Sequence, residues 1–443
     1  MKKLKIALIM PAIGKKDNQK YIASWKMEPL GIAALASLTP PDVEVDFFDD
    51  RLERIPYDNR YDLVGITVET YTARRAYQIA ARFRKRNTPV ILGGFHPTLM
   101  PDEAIHFADA LLLGEAEGVW PGVLEDVKHH RLKRIYRAPG RSPLSGVRPR
   151  REIFQKKKYV SLGLVEASRG CTKGCSFCSV AGFFNRTQSQ RPPAEIAAEV
   201  ESLGRKYIFF VDDNIALNRS WARQLFRELA PLKIQWISQM SLDLARDEEL
   251  ISLMAKSGCC GVLIGLESLN QKNLDSFDKG IKGSEFSLSL RRLREYGLCV
   301  YATFLFGYDH DTRESFEMTL EFALKNRFFF TAFNHLTPFP GTALYQKLAR
   351  EKRLLYQSWW LNPRYHYGDL AFIPRNMSPE EVSEGCREAR KKFYSLSSIF
   401  RRGLDWRCNC RSFPLAVTFL AQNLLAQKEV EKKYGLPLGE GLD

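Results

Sequence analysis

The chain alternates short apolar runs with longer amphipathic stretches, and the alternation falls into two blocks. In the first block the apolar runs cover residues 5–11, 43–48, 63–68, 90–93 and 110–113. They are rich in Val, Ile and Leu and too short to be helices, so they predict strands. Stretches with helical spacing lie between or after them, at 30–38, 73–85, 102–107 and 119–127. Strand–helix alternation of this kind predicts an α/β fold with a doubly wound parallel sheet. Ligands on such sheets bind at the carboxyl ends of the strands. Three turns fall on that edge: Thr67-Val-Glu-Thr70, Gly93-Gly-Phe-His-Pro97 and Gly114-Glu-Ala-Glu117.

The second block repeats the pattern. Strands are expected at 162–168, 207–211, 235–240, 261–266, 300–306 and 331–336, with helices at 194–203, 221–229 and 248–256 among the connections. Six βα units predict a partial (β/α)6 barrel, whose chemistry sits at the C-terminal strand ends. The sequence thus divides into a first domain over residues 1–130, a basic linker over 131–158, a barrel over 159–345 and a helical tail over 346–443. The linker is broken by Pro139, Gly140, Pro143, Gly146 and Pro149. In the tail, a helix over 380–396 follows the capping signal Ser378-Pro-Glu-Glu381, and an amphipathic one covers 414–428.

Composition narrows the function classes. With 443 residues, 45% of them hydrophobic, the chain can bury two or three cores. No run of eighteen apolar residues exists, so no transmembrane helix is expected. The basic tip Met1-Lys-Lys3 precedes a strand rather than a signal-peptide cleavage site, and a cytoplasmic protein is expected. Nine cysteines in a reducing compartment favour metal or catalytic roles over disulfides. The net charge of +15 attracts anions generally. Its densest run, Arg134 to Lys158, carries few aromatics and much Pro and Gly and reads as linker, so no nucleic-acid partner is expected. The helix over 414–428, near Arg401, Arg402, Arg407 and Arg411, can pack on the barrel or touch the inner face of a membrane.

The sharpest motif is Ser168-Arg-Gly-Cys-Thr-Lys-Gly-Cys-Ser-Phe-Cys178, just after the first barrel strand. Cys171, Cys175 and Cys178 have C-x3-C-x2-C spacing, which lets one short loop wrap its thiolates around an inorganic cluster. Three ligands on a four-iron cubane leave one iron open. A zinc site would want four ligands in closed geometry, and no fourth Cys or His lies nearby in sequence.

This motif, with an aromatic residue (Phe177) before its last cysteine, resembles the signature of the radical S-adenosylmethionine superfamily, and the resemblance extends over residues 160–345. It implies a [4Fe–4S] cluster whose open iron binds S-adenosylmethionine. One electron then cleaves the cofactor to methionine and a 5′-deoxyadenosyl radical, which abstracts hydrogen from an unactivated carbon. It also implies a reductase partner such as flavodoxin or ferredoxin. Asp212 and Asp213 stand where the family usually shows a Gly-Gly-Glu turn that contacts the cofactor's amino group. Gln239, Glu267 and Ser268 resemble positions facing its ribose and amino acid. Each of these also reads as an ordinary turn or a hydrogen-bonded strand end.

The first domain resembles the cobalamin-binding domains that precede many radical enzymes. The matching residues are Thr67, Gly93, Gly94, Gly114 and Glu115, with Glu69 and His96 in the same turns. The family's Asp-x-His-x-x-Gly motif after the first strand is missing: residues 11–17 hold no histidine. His96 is the nearby imidazole, and a lone turn histidine is more often bonded to its own chain than to a metal. Whole-chain order is similar to the branch of the anaerobic Mg-protoporphyrin cyclase and the hopanoid methylases. That branch implies an apolar small-molecule substrate of lipid or tetrapyrrole type, methylated with cobalamin as carrier. The alternatives are cyclisation, oxidation or carbon–carbon coupling without methyl transfer, and a cobalamin- or redox-sensing protein that is not an enzyme. Cys259, Cys260, Cys299 and Cys386 read as core residues. Cys408 and Cys410 are too few ligands for a further cluster.

Overall fold

The computed structural model describes residues 3–276 and 282–442, so Met1 and Lys2 of the basic tip lie outside the described residues. Strands β1 (Lys5–Met10), β2 (Glu44–Asp49), β3 (Leu63–Thr67), β4 (Val90–Gly93), β5 (Ala110–Leu113) and β6 (Ile135–Arg137) form one parallel sheet in the order 2-1-3-4-5-6. The central strands are buried on both faces, which is why they read as unbroken apolar runs. The strand order reverses between β1 and β3, and that is where such sheets hold ligands. A buried ion pair fixes this edge: Arg75 donates through Nε and Nη2 to Asp50, both at 2.9 Å.

The stretch expected to be only a linker supplies β6, an added edge strand beside β5. Farther on, Phe154 inserts into the core beside Phe47, with ring centroids 5.6 Å apart. Three strand residues with one inward side chain, set among prolines and glycines, carry too little periodicity to be seen in sequence.

The second block holds β7 (Gly163–Val165), β8 (Ser168–Gly170), β9 (Gln188–Gln190), β10 (Tyr207–Phe210), β11 (Gln235–Gln239), β12 (Cys259–Glu267), β13 (Cys299–Phe306) and β14 (Phe330–His335). Six of these form an open parallel sheet in the order 7-10-11-12-13-14, the expected partial barrel. The apolar run over 162–168 is split. Asp212 accepts the Ala167 N–H at 3.0 Å and also bonds the Ser168 N–H, diverting the chain into an antiparallel hairpin, β8 with β9.

One face of the barrel sheet carries its helices: Trp236 is buried there against Phe226 at 5.3 Å. The other face is the half-open lumen, where Ile237 and Tyr301 keep 38% and 36% of their surface accessible.

The tail is not a separate appendage. Trp359, Trp360 and Tyr365 are fully buried in the core of the first sheet. A short strand pair, β15 (His366–Tyr367) with β16 (Leu436–Pro437), brings the last residues back to it. Gly439 then donates to the Ile13 carbonyl at 2.7 Å and Lys15 to the Glu440 carbonyl at 2.9 Å, so the C-terminal segment straps the loop after β1. Among the described residues no helix is long and apolar enough to cross a membrane.

Candidate functional site

The cysteine loop hangs between β8 and β9. Gly170 starts it at φ +92°, and a Cβ there would meet the Thr187 carbonyl oxygen at 2.3 Å, so only glycine fits. Cys171, Cys175 and Cys178 are half-buried free thiols. A turn closes from the Cys178 N–H to the Cys175 carbonyl at 3.1 Å, and Cys178 precedes the short helix Ser179–Phe183. Burial pushes the Cys171 and Cys178 thiols up, opposed by the backbone N–H of Lys173 at the first and of Ala181 and Val180 at the second. Among the described residues no three His, Cys, Asp or Glu side chains converge as a single ion requires. Three thiolates on one zinc would stand about 3.8 Å apart. A cubane takes one thiolate per iron and spreads them wider. Three half-buried thiols on one loop, with backbone donors ready for thiolate charge, fit the three ligands a four-iron cluster takes.

The expected S-adenosylmethionine contacts divide. Asp213 donates no hydrogen but accepts the Gly170 N–H at 2.9 Å, which sets it beside the cysteine loop. Gln239 ends β11 on the lumen face, exposed. Glu267 ends β12 at φ +64°, a left-handed conformation rare for a non-glycine residue, next to a break in register with β13. Strain of that kind, held at a strand end, is characteristic of functional positions. Phe177 packs against the barrel core. Asp212 and Ser268 lie differently. Burial raises Asp212 to about 7 against the bonds from Ser168 and Ala167, and its oxygens serve that corner of the chain. The Ser268 Oγ accepts from Asn270 at 3.1 Å and from Asn273 at 3.3 Å within its own turn.

The expected cobalamin residues divide too. Thr67, Glu69, Gly93 and Gly94 come together at the carboxyl edge of β3 and β4. Gly94 has φ +103°, and a Cβ on it would sit 3.0 Å from the Val68 carbonyl oxygen, so part of its role is packing. Glu69 is exposed, while desolvation of its carboxyl raises it above the usual range, with Arg51 opposing. His96 has no accessible surface. Its Nδ1 is 3.3 Å from the Thr70 Oγ1 and its Nε2 is 3.0 Å from the Glu103 Oε1, so both nitrogens are engaged inside the core. The Gly114 N–H donates to the Thr98 Oγ1 at 2.9 Å. The paired glycines and the Glu69 carboxyl at the carboxyl edge of β3 and β4, beside the switch point, are compatible with a corrinoid, whose cobalt would take no histidine from residues 11–17.

Glu115 belongs to a network that sequence reading missed. Arg169, two residues before Cys171, donates through Nη1 to Glu115 at 3.0 Å and Glu117 at 2.7 Å, and through Nη2 to Glu166 at 2.7 Å. Arg141 adds its Nε to Glu115 at 3.1 Å. Residues from the first sheet, the basic stretch and the barrel thus share one buried charge cluster. The acidic turn Gly114-Glu-Ala-Glu117 was its only local signal. Two further contacts join the same edges. Phe95 stacks on Phe183 at 4.3 Å, and the Tyr71 hydroxyl is 3.3 Å from the Thr337 Oγ1. The turns after β3, β4 and β5 therefore abut the cysteine loop and the carboxyl ends of the barrel strands.

Two open parallel sheets with facing carboxyl edges, one bearing a three-cysteine cluster loop, define an enzyme built for iron–sulfur chemistry next to a bulky cofactor. Comparison with known proteins agrees. Residues 165–323 match the radical SAM superfamily and residues 25–124 match the B12 binding domain. The bacteriochlorophyllide d C-12(1)-methyltransferase of Chlorobaculum tepidum is 31% identical over 388 residues, covering 84% of each chain. The hopanoid C-2 methylase of Rhodopseudomonas palustris is 26% identical over 348 residues, 74% of this chain and 66% of its own. In fold, the chain resembles the radical S-adenosylmethionine methyltransferase TsrM from Kitasatospora setae, solved with cobalamin and a [4Fe–4S] cluster. The TM-score is 0.69 at 16% identity, with 97% of this chain and 99% of that one covered. The protein belongs to the radical S-adenosylmethionine superfamily, as a member with an N-terminal B12-binding domain.

Proposed function

We propose that this enzyme transfers a methyl group to an unactivated carbon of an apolar, tetrapyrrole-like substrate. The observation that carries this reading is the apposition of the two carboxyl edges. It brings the edge that carries Thr67, Glu69 and Gly94 against the cluster loop through Phe95–Phe183 stacking and the Arg169 cluster. When bound, the cluster and S-adenosylmethionine supply a 5′-deoxyadenosyl radical and the corrinoid supplies the methyl group. The chain's own residues hold the cluster loop rigid, exclude water and present an apolar wall. That wall comprises Ile237, Leu263, Tyr301, Leu305 and Phe330 on the lumen face. Similarity to the bacteriochlorophyllide enzyme supports the substrate class. An electron donor of flavodoxin or ferredoxin type completes the cycle.

The test uses anaerobically reconstituted, reduced enzyme with S-adenosylmethionine carrying a deuterated methyl group and a panel of tetrapyrroles. The expected product retains the label. Formation of 5′-deoxyadenosine with an altered but unlabelled tetrapyrrole would replace methyl transfer by cyclisation or coupling.

The tail supports a working place at an anionic membrane surface. Phe400, Trp406 and Phe413 are 69%, 72% and 83% exposed, and Leu396, Val417 and Leu420 are exposed beside them in sequence. Between residues 396 and 420 the exposed charges are Arg401, Arg407 and Arg411, while Asp405, the single acid, is buried against Arg294 at 2.9 Å. Exposed aromatics ringed by arginine suit an interfacial helix on acidic lipid. Vesicles containing phosphatidylserine should therefore pull the enzyme down in a salt-sensitive way, with weaker binding to phosphatidylcholine alone and to vesicles after Trp406→Ser with Phe413→Ser. Equal recovery with and without vesicles contradicts it.

A further inference from the structure

Arg390 is a guanidinium whose surroundings lack a counter-charge. It lies on the helix Pro379–Phe393, which packs along the edge strand β14. Its helix neighbours are paired: Arg387 with Glu384 at 2.6 Å and Lys391 with Glu388 at 2.9 Å. Among the described residues no carboxylate forms an ion pair with Arg390. Instead its Nη2 donates to the Asn334 Oδ1 at 2.8 Å. Asn334 alternates with Phe330 and Ala332 on the accessible face of β14, opposite the buried Thr331, Phe333 and His335. Arg390 therefore reaches past the sheet edge toward the lumen.

What surrounds it is phenolic rather than acidic. Its charge acts on Tyr301 from the lumen, and on Tyr71 and Tyr367 from the side of the first sheet. Tyr71 and Tyr367 stand 5.2 Å apart, ring to ring. His335 is no competitor. Its Nδ1 bonds the Leu336 carbonyl at 3.2 Å, and burial holds it down at about 4, hence neutral. A half-buried guanidinium costs free energy unless an anion or several acceptors satisfy it. Asn334 accounts for one of five N–H donors. One cation beside a neutral amide suits a monoanion with two oxygens, since a phosphate dianion draws more than one cation.

We propose that Arg390, aided by Asn334, seats a carboxylate arm of the substrate at the lumen mouth. The substrate would then be an apolar skeleton with an acidic side chain, clamped at one end so that a carbon at the other faces the two cofactors. A bidentate grip fixes orientation as well as affinity, which is what a site-selective reaction on a large flat molecule needs. This rests on the tetrapyrrole reading only for the choice of skeleton.

The experiment measures binding to the reconstituted enzyme of three acids, each against its methyl ester: a chlorin with one free propionate, a long-chain fatty acid and indole-3-propionate. At least one acid should bind roughly tenfold tighter than its ester. Arg390→Gln should erase that preference while leaving ester binding and S-adenosylmethionine binding unchanged. Arg390→Lys should keep part of it, which guards against a fold defect as the explanation. Preference shown by the fatty or indole acid but not by the chlorin would overturn the tetrapyrrole skeleton and keep the carboxylate seat. No acid–ester preference in any pair, or one that survives Arg390→Gln, overturns the seat.

Discussion

Cys175→Ala should abolish formation of 5′-deoxyadenosine and leave the protein folded. The three cysteines are half-buried on a hairpin loop and are not members of the core clusters, so a lost thiol removes little packing that the sheets depend on. It does remove one of three cluster ligands from a loop that offers no replacement. The other six cysteines lie elsewhere: Cys259, Cys299, Cys386 and Cys408 are buried, and burial raises all six thiols. Iron content after anaerobic reconstitution should fall well below that of wild type, and the product should fall to background. Cys260→Ala should change neither. Wild-type levels of 5′-deoxyadenosine from the Cys175 variant would refute the assignment of the cluster loop.

Arg169→Ala carries the second large effect. The Arg169 side chain is 16% exposed, and those of Glu115, Glu117 and Glu166 are 4%, 10% and 28% exposed. Burial alone would favour losing the guanidinium's proton, but Glu166 and Glu117 outweigh it and hold the charge firmly. Deleting it leaves three carboxylates facing one another with Arg141 as the remaining cation. Breaking a buried pair from one side typically costs about 3–5 kcal/mol. The expected result is a clear fall in the urea midpoint, together with a lower yield of 5′-deoxyadenosine, because the backbone of Gly170 and Cys171 follows directly. Arg169→Lys keeps the charge but not the fork, and should lie between. An unfolding free energy unchanged within about 1 kcal/mol would show that the cluster does not bind the two sheets together.

Much of this architecture was legible in the chain. Strands buried on both faces cannot hide their apolar runs, so β1, β3, β4 and β5 fell where the pattern put them, and the later barrel strands did so because their lumen face is also largely apolar. The cysteine loop was legible because its spacing is local. What sequence could not show was which carboxylate is free. Asp212 and Asp213 look equivalent, yet Asp212 faces the Ala167 and Ser168 amides and is consumed by them, while Asp213 turns to the loop. For His96 the sequence favoured a bond to its own chain over a metal but did not identify the partner, Glu103, seven positions on. That carboxylate is fixed in turn by Trp360 at 3.0 Å, a residue 257 positions farther on. The same holds for Arg169 with Glu115, and for Arg390 with Asn334: each pairing joins elements that only the fold brings together.

One chain should hold an iron–sulfur cluster and a corrinoid against each other. The measurement that tests it most directly is metal content after anaerobic reconstitution with iron, sulfide and hydroxocobalamin, followed by desalting. The account expects about four irons and about one cobalt per chain, with cobalt retained in Cys175→Ala while iron is lost. Iron without cobalt would contradict it. The first sheet would then be a scaffold, and the methyl group would need another carrier.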